Sequence, residues 1–535
     1  MAWSQYSLRY LMIKPDPLSE QVCARLFDYF SMRAGWHRRS WDLGLCMGLR
    51  ELEEAISAED RGCLSSQAVS WLASSLKRPA GRDPGVGSSA LRKSLQDCLG
   101  STMKAGSAQH KKLGQIASNI EGNYLERWAA ALSPRPTPFD AERVARAIAE
   151  HLFDHGFDTR YLHRWLSYHV NYNPAELTIS DLIETAAEIR NEPPVEFEIV
   201  AGVSPLPGNK RPENWMKVGE LREWAEREGY SLSNVRVGGG IRFKVPATDK
   251  WSAVARVVQQ LEQYESRVKI GTRERSLRVE VIWVSGCNGE KFVRQPARKV
   301  DVLALARQER LYASAVDNPV DSALQLAAPM EDGSTTSAVA GGWAAIETAL
   351  TAPGDPGNVL AADRMADIVA CSYVRAELTK LAAVYTRESS DELAQAIAAS
   401  SENRGRCRLL LGAILDPTVT IEFKDATHAA ALMRIERIVQ EPKAELNEIR
   451  ERAQRAFRRL YRHRNLLLHG GLSGAVGVDR SLTAVAPILG AGLDRLAHAW
   501  LVEGLEPLDL AARARLGLEL LGSGDGSNLV DLLEP

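Results

Sequence analysis

Arg464, Asn465 and His469, in the stretch "RNLLLHGG" (464–471), form the densest group of chemically capable side chains in this sequence. A guanidinium offers a planar fork of donors that fits a phosphate or a carboxylate. A histidine exchanges protons near neutral pH, and the backbone dipole at a helix C-terminus favours its protonated ring. An anion held by the first and a proton moved by the second would suffice for acid–base chemistry on a phosphate ester.

The element that must position them is "EPKAELNEIRERAQRAFRRLYRHRNLLLHGG" (441–471). Pro442 suits the first helical position and Glu445 the positive end of the dipole. Leu446, Ile449, Ala453, Phe457 and Leu460 recur at steps of three or four, the stripe of an amphipathic helix. Arg464 takes the next position on that stripe, with Leu467 and Leu468 after it, and Gly470 and Gly471 supply the stop. A cation facing a core or a partner is costly unless it is paired, hydrated in a cleft or kept for an anion. The same helix carries Arg450, Arg452, Arg455, Arg458, Arg459 and Arg462, a local surface for phosphate. Some of these are expected to pair with Glu445, Glu448 and Glu451.

Other chemistry is poorly supported. His151, His155, His163 and His169 cluster in "HLFDHGFDTRYLHRWLSYH", and the first two have the i, i+4 spacing of a metal pair. The glutamate of HExxH is missing and Gly156 ends the helix, so packing or surface roles are expected and no metal. "VGGGIRF" (237–243) precedes a strand instead of leading from one into a helix, the reverse of a phosphate-cradling loop. No GxSxG is present, and no carboxylate motif of metal-binding spacing. No cofactor is expected.

Arg464-Asn465-x-x-x-His469 resembles the R-x4–6-H motif of HEPN domains, in which a polar residue often follows the arginine. "GWAAIETAL" (342–350) and "ADRMADIVACSYVRAELTKLAAVY" (362–385) resemble the first two helices of the larger HEPN proteins, so the likeness spans about 337–535. It implies a bundle of four or five helices that pairs with a second copy, so that two motifs line one composite cleft. It further implies a metal-independent endoribonuclease, with Arg464 on the scissile phosphate, His469 as acid or base and Asn465 orienting either. His463, Tyr461, Glu347 and Glu377 are candidate supporting residues, and Arg455, Arg458, Arg459 and Arg462 candidate RNA contacts. The family often serves in prokaryotic antiviral defence (abortive infection) or toxin systems, cutting RNA, frequently tRNA. Its expected partners are RNA, a second copy in a dimer or higher even oligomer, and a phage-derived or nucleotide trigger. Some members are non-catalytic and bind nucleotide, RNA or partner proteins, which is the alternative reading.

At 535 residues the chain exceeds one ordinary core, and two to four domains are expected. The expected fold is mainly α. A helical N-terminal region (1–192) has hinges at 77–89 and 133–138. A smaller α/β (α+β) domain (195–315) follows, where "VEFEIVAGV", "GIRFKV" and "LRVEVIWV" read as strands around the helix "KWSAVARVVQQLEQYESRV". A linker (316–336) precedes the helical C-terminal domain (337–535). A formal net charge of −2 gives no protein-wide positive field, so a nucleic acid must be held by a local patch. Seven scattered cysteines without a CxxC pair, no signal-peptide pattern and no run of roughly 18 uncharged apolar residues point to a soluble cytoplasmic protein with reduced thiols. In that expectation the N-terminal domains regulate a C-terminal nuclease.

Overall fold

Apolar residues at steps of three and four turn most of the chain into helices, and short polar side chains close many of their N-termini. Ser65, Ser88, Ser107 and Asp391 each accept a backbone N–H of the first turn they precede. The computed structural model describes residues 17–132, 140–172, 178–204, 206, 211–232, 235–272, 277–287, 292, 298–312, 318–471, 474–524 and 526–534. The protein is mainly helical with one small antiparallel sheet, the fold class expected from the patterning. Contacts divide the chain into two compact units. One comprises residues 1–154, 163–187 and 298–535, the other 155–162 and 188–297.

The smaller unit is an α+β domain. Its sheet runs in the order β2-β3-β1-β4, with β1 Val195–Val203, β2 Trp215–Met216, β3 Gly239–Ala247 and β4 Val279–Val284. Alternation sends Ile199, Ala201, Ile241, Phe243 and Ile282 to one face, where Trp251, Val254, Val257 and Leu261 of the Lys250–Gly271 helix cover them. Val200, Met216 and Trp283 face the other way, onto Leu221 and Trp224 of the Val218–Arg227 helix. Gly239 and Gly240 of "VGGGIRF" serve this packing. A Cβ on Gly239 would stand 2.1 Å from the Trp215 ring, so only glycine lets the two strands approach.

The larger unit departs from the expected domain plan. The N-terminal helices and the C-terminal helices belong to one unit. The expected linker is helical over its described part: Pro319–Ala327 and Pro329–Asp332 bury Val320, Ala323, Ala327 and Met330. Its Gly, Pro and Asp content encodes caps instead of flexibility, since Asn318 accepts the N–H groups of Val320 and Asp321 and Pro319 sits at the first helical position. Asn318→Ala is expected to cost about 1 kcal/mol in urea denaturation. The expected hinge at 77–89 is largely structured too. The Ser66–Arg82 helix runs through Pro79, a short turn of helix follows at Pro84–Val86, and Ala80 and Val86 are buried. The hinge at 133–138 lies outside the described residues. Residues 298–312, assigned to the α+β domain by sequence, join the helical unit. There Asp494 accepts the N–H of Ala304, and Val320 and Ala497 pack on Ala304.

Buried charges bind the N-terminal helices to one another and to the C-terminal ones. Arg25 of the Pro17–Tyr29 helix donates to Glu142 at 2.6 Å, and Arg38 donates to Glu377 at 2.7 Å. Arg434 reaches both Glu377 (3.1 Å) and Asp28 (3.4 Å). Further along, the loop after Arg39 brings Ser40 to Glu150 and the Gly44 N–H to Asp154, both on the Ala141–Asp154 helix. These sites make stability depend on pH in two opposed ways. Burial, reinforced by the nearby Asp42 carboxylate, pushes the Glu150 carboxyl up to about 7. The folded chain then binds the extra proton between about pH 4.5 and 7, and this contribution is lost as pH rises through that window. Burial drives the His37 imidazole down to about 4, with Glu377 opposing and Arg38 and Arg434 assisting. Here the unfolded chain binds the proton, so stability is lost as pH falls from about 6.5 towards 4. Glu150→Gln, a permanent mimic of the neutral acid, is expected to melt near the wild-type temperature at pH 5. At pH 8 it should be more stable, by up to about 3 kcal/mol.

Candidate functional site

The helix that carries the motif runs Pro442–Gly470, 29 residues, or about 44 Å. Gly471, in the left-handed conformation at φ 62°, closes it with its N–H on the carbonyls of Leu466 and Leu467. Only glycine adopts that conformation without strain, so the helix must stop directly after His469 and Gly470. The predicted stripe is buried at Leu446, Ile449, Ala453, Phe457 and Leu460. Beyond Leu460 it continues through His463 and Leu466 instead of Arg464 and Leu467. Two successive steps of three place the imidazole of His463, not the guanidinium of Arg464, in the seam. Arg464 is half-buried at its edge, and Leu468, predicted on the stripe, is 52% exposed.

Six of the seven arginines on this helix face carboxylates. Arg450 pairs with Asp367, Arg452 lies 4.0 Å from Glu142, and Arg455 meets Asp42 at 2.5 Å. Arg458 donates to Asp363 at 2.7 Å and lies over the Trp71 ring. Arg459 donates to Glu51 at 2.8 Å and pairs with Asp42 at 2.9 Å, while Arg462 reaches Glu51 at 3.5 Å. The expectation that Arg455, Arg458, Arg459 and Arg462 form an RNA surface is therefore corrected. Arg459 and Arg462 are buried, and all four are neutralised by acids from other helices or loops. Burial, against the pull of Glu51, lowers the Arg462 guanidinium to about 10.

Arg464 is the exception. Among the described residues no carboxylate lies within ion-pair distance of it. Its Nη1 donates to Asn465 Oδ1 at 3.0 Å and lies 3.4 Å from His469 Nε2. A guanidinium can only donate, so for the second contact to be a hydrogen bond Nε2 must carry the lone pair and Nδ1 the proton. The three predicted residues thus meet at one helix end, with His469 exposed and Asn465 buried beneath the arginine. Asn465 orients the guanidinium; no contact of its side chain with His469 is present among the described residues.

The predicted supporting residues separate. His463 is 2% exposed, with neither ring nitrogen hydrogen-bonded among the described residues, and Nε2 is 3.8 Å from Glu51. Burial and the cations of Arg462 and Arg459 hold its pKa well below the usual histidine range, so it is a neutral core residue and no proton shuttle. Tyr461 packs its ring 4.7 Å from that of Trp343. Glu347 accepts from Asn358. Glu377 does not brace the motif: it is fully buried and holds Arg38 and Arg434, and against the opposing effect of burial the neighbouring His37, Arg434 and Arg38 push its carboxyl far below the usual range.

Elsewhere, the clustered histidines take up packing roles. His151 stacks on Tyr124 at 4.7 Å, His163 meets the edge of Phe27, and His155 accepts from Arg190. Among the described residues no group of three or more His, Cys, Asp or Glu side chains is arranged to hold a metal ion, and no helix is long and apolar enough to cross a membrane. No protein-family model matches the chain, and neither a curated protein nor a solved structure is found similar to it.

Proposed function

We propose that the chain is a metal-independent endoribonuclease of the HEPN kind, with Arg464 and His469 as its catalytic residues and Asn465 beneath them. One observation carries this reading: of the seven arginines on the long helix, only Arg464 lacks a carboxylate partner among the described residues, and it lies 3.4 Å from an exposed imidazole. A half-buried guanidinium left without an acid keeps donors free to take up an anion. A phosphodiester supplies that anion. His469 Nε2 takes the proton of a ribose 2′-OH, the 2′-oxygen bonds to phosphorus, and the bond from phosphorus to the 5′-oxygen breaks. The leaving 5′-oxygen takes a proton from water or from the His469 of a second copy. Arg464 stabilises the charge gathering on the phosphoryl oxygens. The products are a 2′,3′-cyclic phosphate and a 5′-hydroxyl, and DNA, which lacks the nucleophile, is not cut.

A homodimer would bring two motifs to one cleft, and a role in antiviral defence or a toxin system in the cytoplasm follows from the same resemblance. The N-terminal helices and the α+β domain are then the regulatory part. Sequencing RNA ends from cells that express the wild type or His469→Ala tests the reading. Cyclic-phosphate ends at defined sites should accumulate with the wild type alone; identical end profiles would overturn it. The neutralisation of Arg455, Arg458, Arg459 and Arg462 favours a second reading, a non-catalytic module in which Arg464 binds a nucleotide or an acidic partner. In that case neither protein would generate new ends.

A further inference from the structure

The sequence on both sides of the motif is held by one N-terminal helix, Leu45–Asp60. Glu51, buried at 4% exposure, accepts Arg459 Nε on its two oxygens at 2.8 and 2.9 Å and Arg462 Nη2 at 3.5 Å. Its Oε1 also lies 3.8 Å from Nε2 of His463, the residue directly before Arg464. Glu54, one turn further along, accepts the N–H of Val476 on both oxygens at 3.2 Å. Beside it, Leu43 and Met47 close on Gly477, where a Cβ would stand 3.0 Å from Leu43, and φ is +68°. The segment 464–471 therefore lies between two anchor points, and both sit on the same helix.

We propose that Glu51 and Glu54 are positioning residues for the Arg464–His469 pair, and that the Leu45–Asp60 helix is the element through which the N-terminal region controls it. What the pair does rests on the nuclease reading above; that its geometry is set from this helix does not. A shift of the helix along its axis would displace Arg462 and His463 before the motif and Val476 after it. Arg464 and His469 would be re-aimed with no residue of the helix touching RNA. The route continues into the N-terminal region: Arg50 pairs with Glu121 at 2.8 Å, and His110 Nε2 lies 3.1 Å from the carbonyl of Glu53. On this account the N-terminal helices are a required part of the site, and residues 337–535 alone do not assemble it.

The test uses the full-length chain with ¹³C-labelled histidine, the His469 signal being identified by its loss in His469→Gln. Glu54→Ala removes one acceptor at a half-buried position and should leave the fold intact. It is expected to move the His469 signal. On a single-stranded RNA oligonucleotide it should lower kcat by about tenfold with KM nearly unchanged, because misplacement of catalytic groups costs rate and not affinity. Glu51→Gln should do the same more strongly, by about a hundredfold. A folded Glu54→Ala with an unmoved His469 signal and an unchanged kcat overturns the proposal, whether or not Glu51→Gln folds. If the wild type cuts no RNA yet Glu54→Ala moves the His469 signal, positioning stands and the nuclease reading falls.

Discussion

Arg464→Ala and His469→Ala are each expected to lower RNA cleavage by about 10²–10⁴-fold, with EDTA present throughout. The size follows from the roles. Removing a general base or an oxyanion-stabilising cation costs two to four powers of ten, and removing both costs little more than either, since the two act on one transition state. The fold should be nearly untouched. His469 is exposed, and Arg464 gives up only Asn465 and the ring beside it, so melting should change by no more than about 0.5 kcal/mol. Arg459→Ala makes the contrast. It strips Glu51 and Asp42 of a buried partner and should lower the melting temperature, which neither motif variant is expected to do.

Glu377→Ala is expected to destabilise the helical unit by about 3–5 kcal/mol, read as a fall in the urea midpoint. The carboxylate is fully buried, takes Arg38 at 2.6 Å and Arg434 at 3.1 Å, and neighbours His37 at 3.7 Å. Without it two guanidiniums remain in the interior with only Asp28, at 3.4–3.5 Å, to share. The same deletion at the exposed pair Arg515–Glu519, an i, i+4 contact at 2.6 Å, should cost under about 1 kcal/mol, because water and side-chain entropy offset most of the attraction. Equal effects at the two sites would contradict the packing described for the N-terminal helices.

The sequence made some of this plain and hid the rest for identifiable reasons. Periodicity located the Pro442–Gly470 helix and its stop, because Pro442, the stripe and Gly471 are all local signals. The strands of the α+β domain were legible from their β-branched and aromatic runs. The partners of the arginines were not. Arg459 and Glu51 are 408 residues apart, and nothing local distinguishes an arginine that reaches a distant acid from one that reaches solvent. A signal did exist in Glu377, which falls on the apolar stripe Val374, Leu378 and Leu381 of its own helix, an unsuitable place for a bracing surface acid. The slip from Arg464 to His463 in the seam turned on one residue, within the tolerance of a 3.6-residue repeat read over five turns. The 316–336 segment has a linker's composition yet is helical where described, because Pro, Asn and Asp also write helix starts.

On the proposed reading, Arg464 and His469 together move a proton and steady a phosphate. Single-turnover cleavage, in EDTA, of an RNA oligonucleotide and of the same oligonucleotide with one 2′-deoxyribose at the cut site tests it most directly. The all-ribose strand is expected to be cut to a 2′,3′-cyclic phosphate, the 2′-deoxy position to resist, and Arg464→Ala to cut the all-ribose strand at least about a hundredfold more slowly. Equal cleavage of both strands, or cleavage by Arg464→Ala at the wild-type rate, would contradict it.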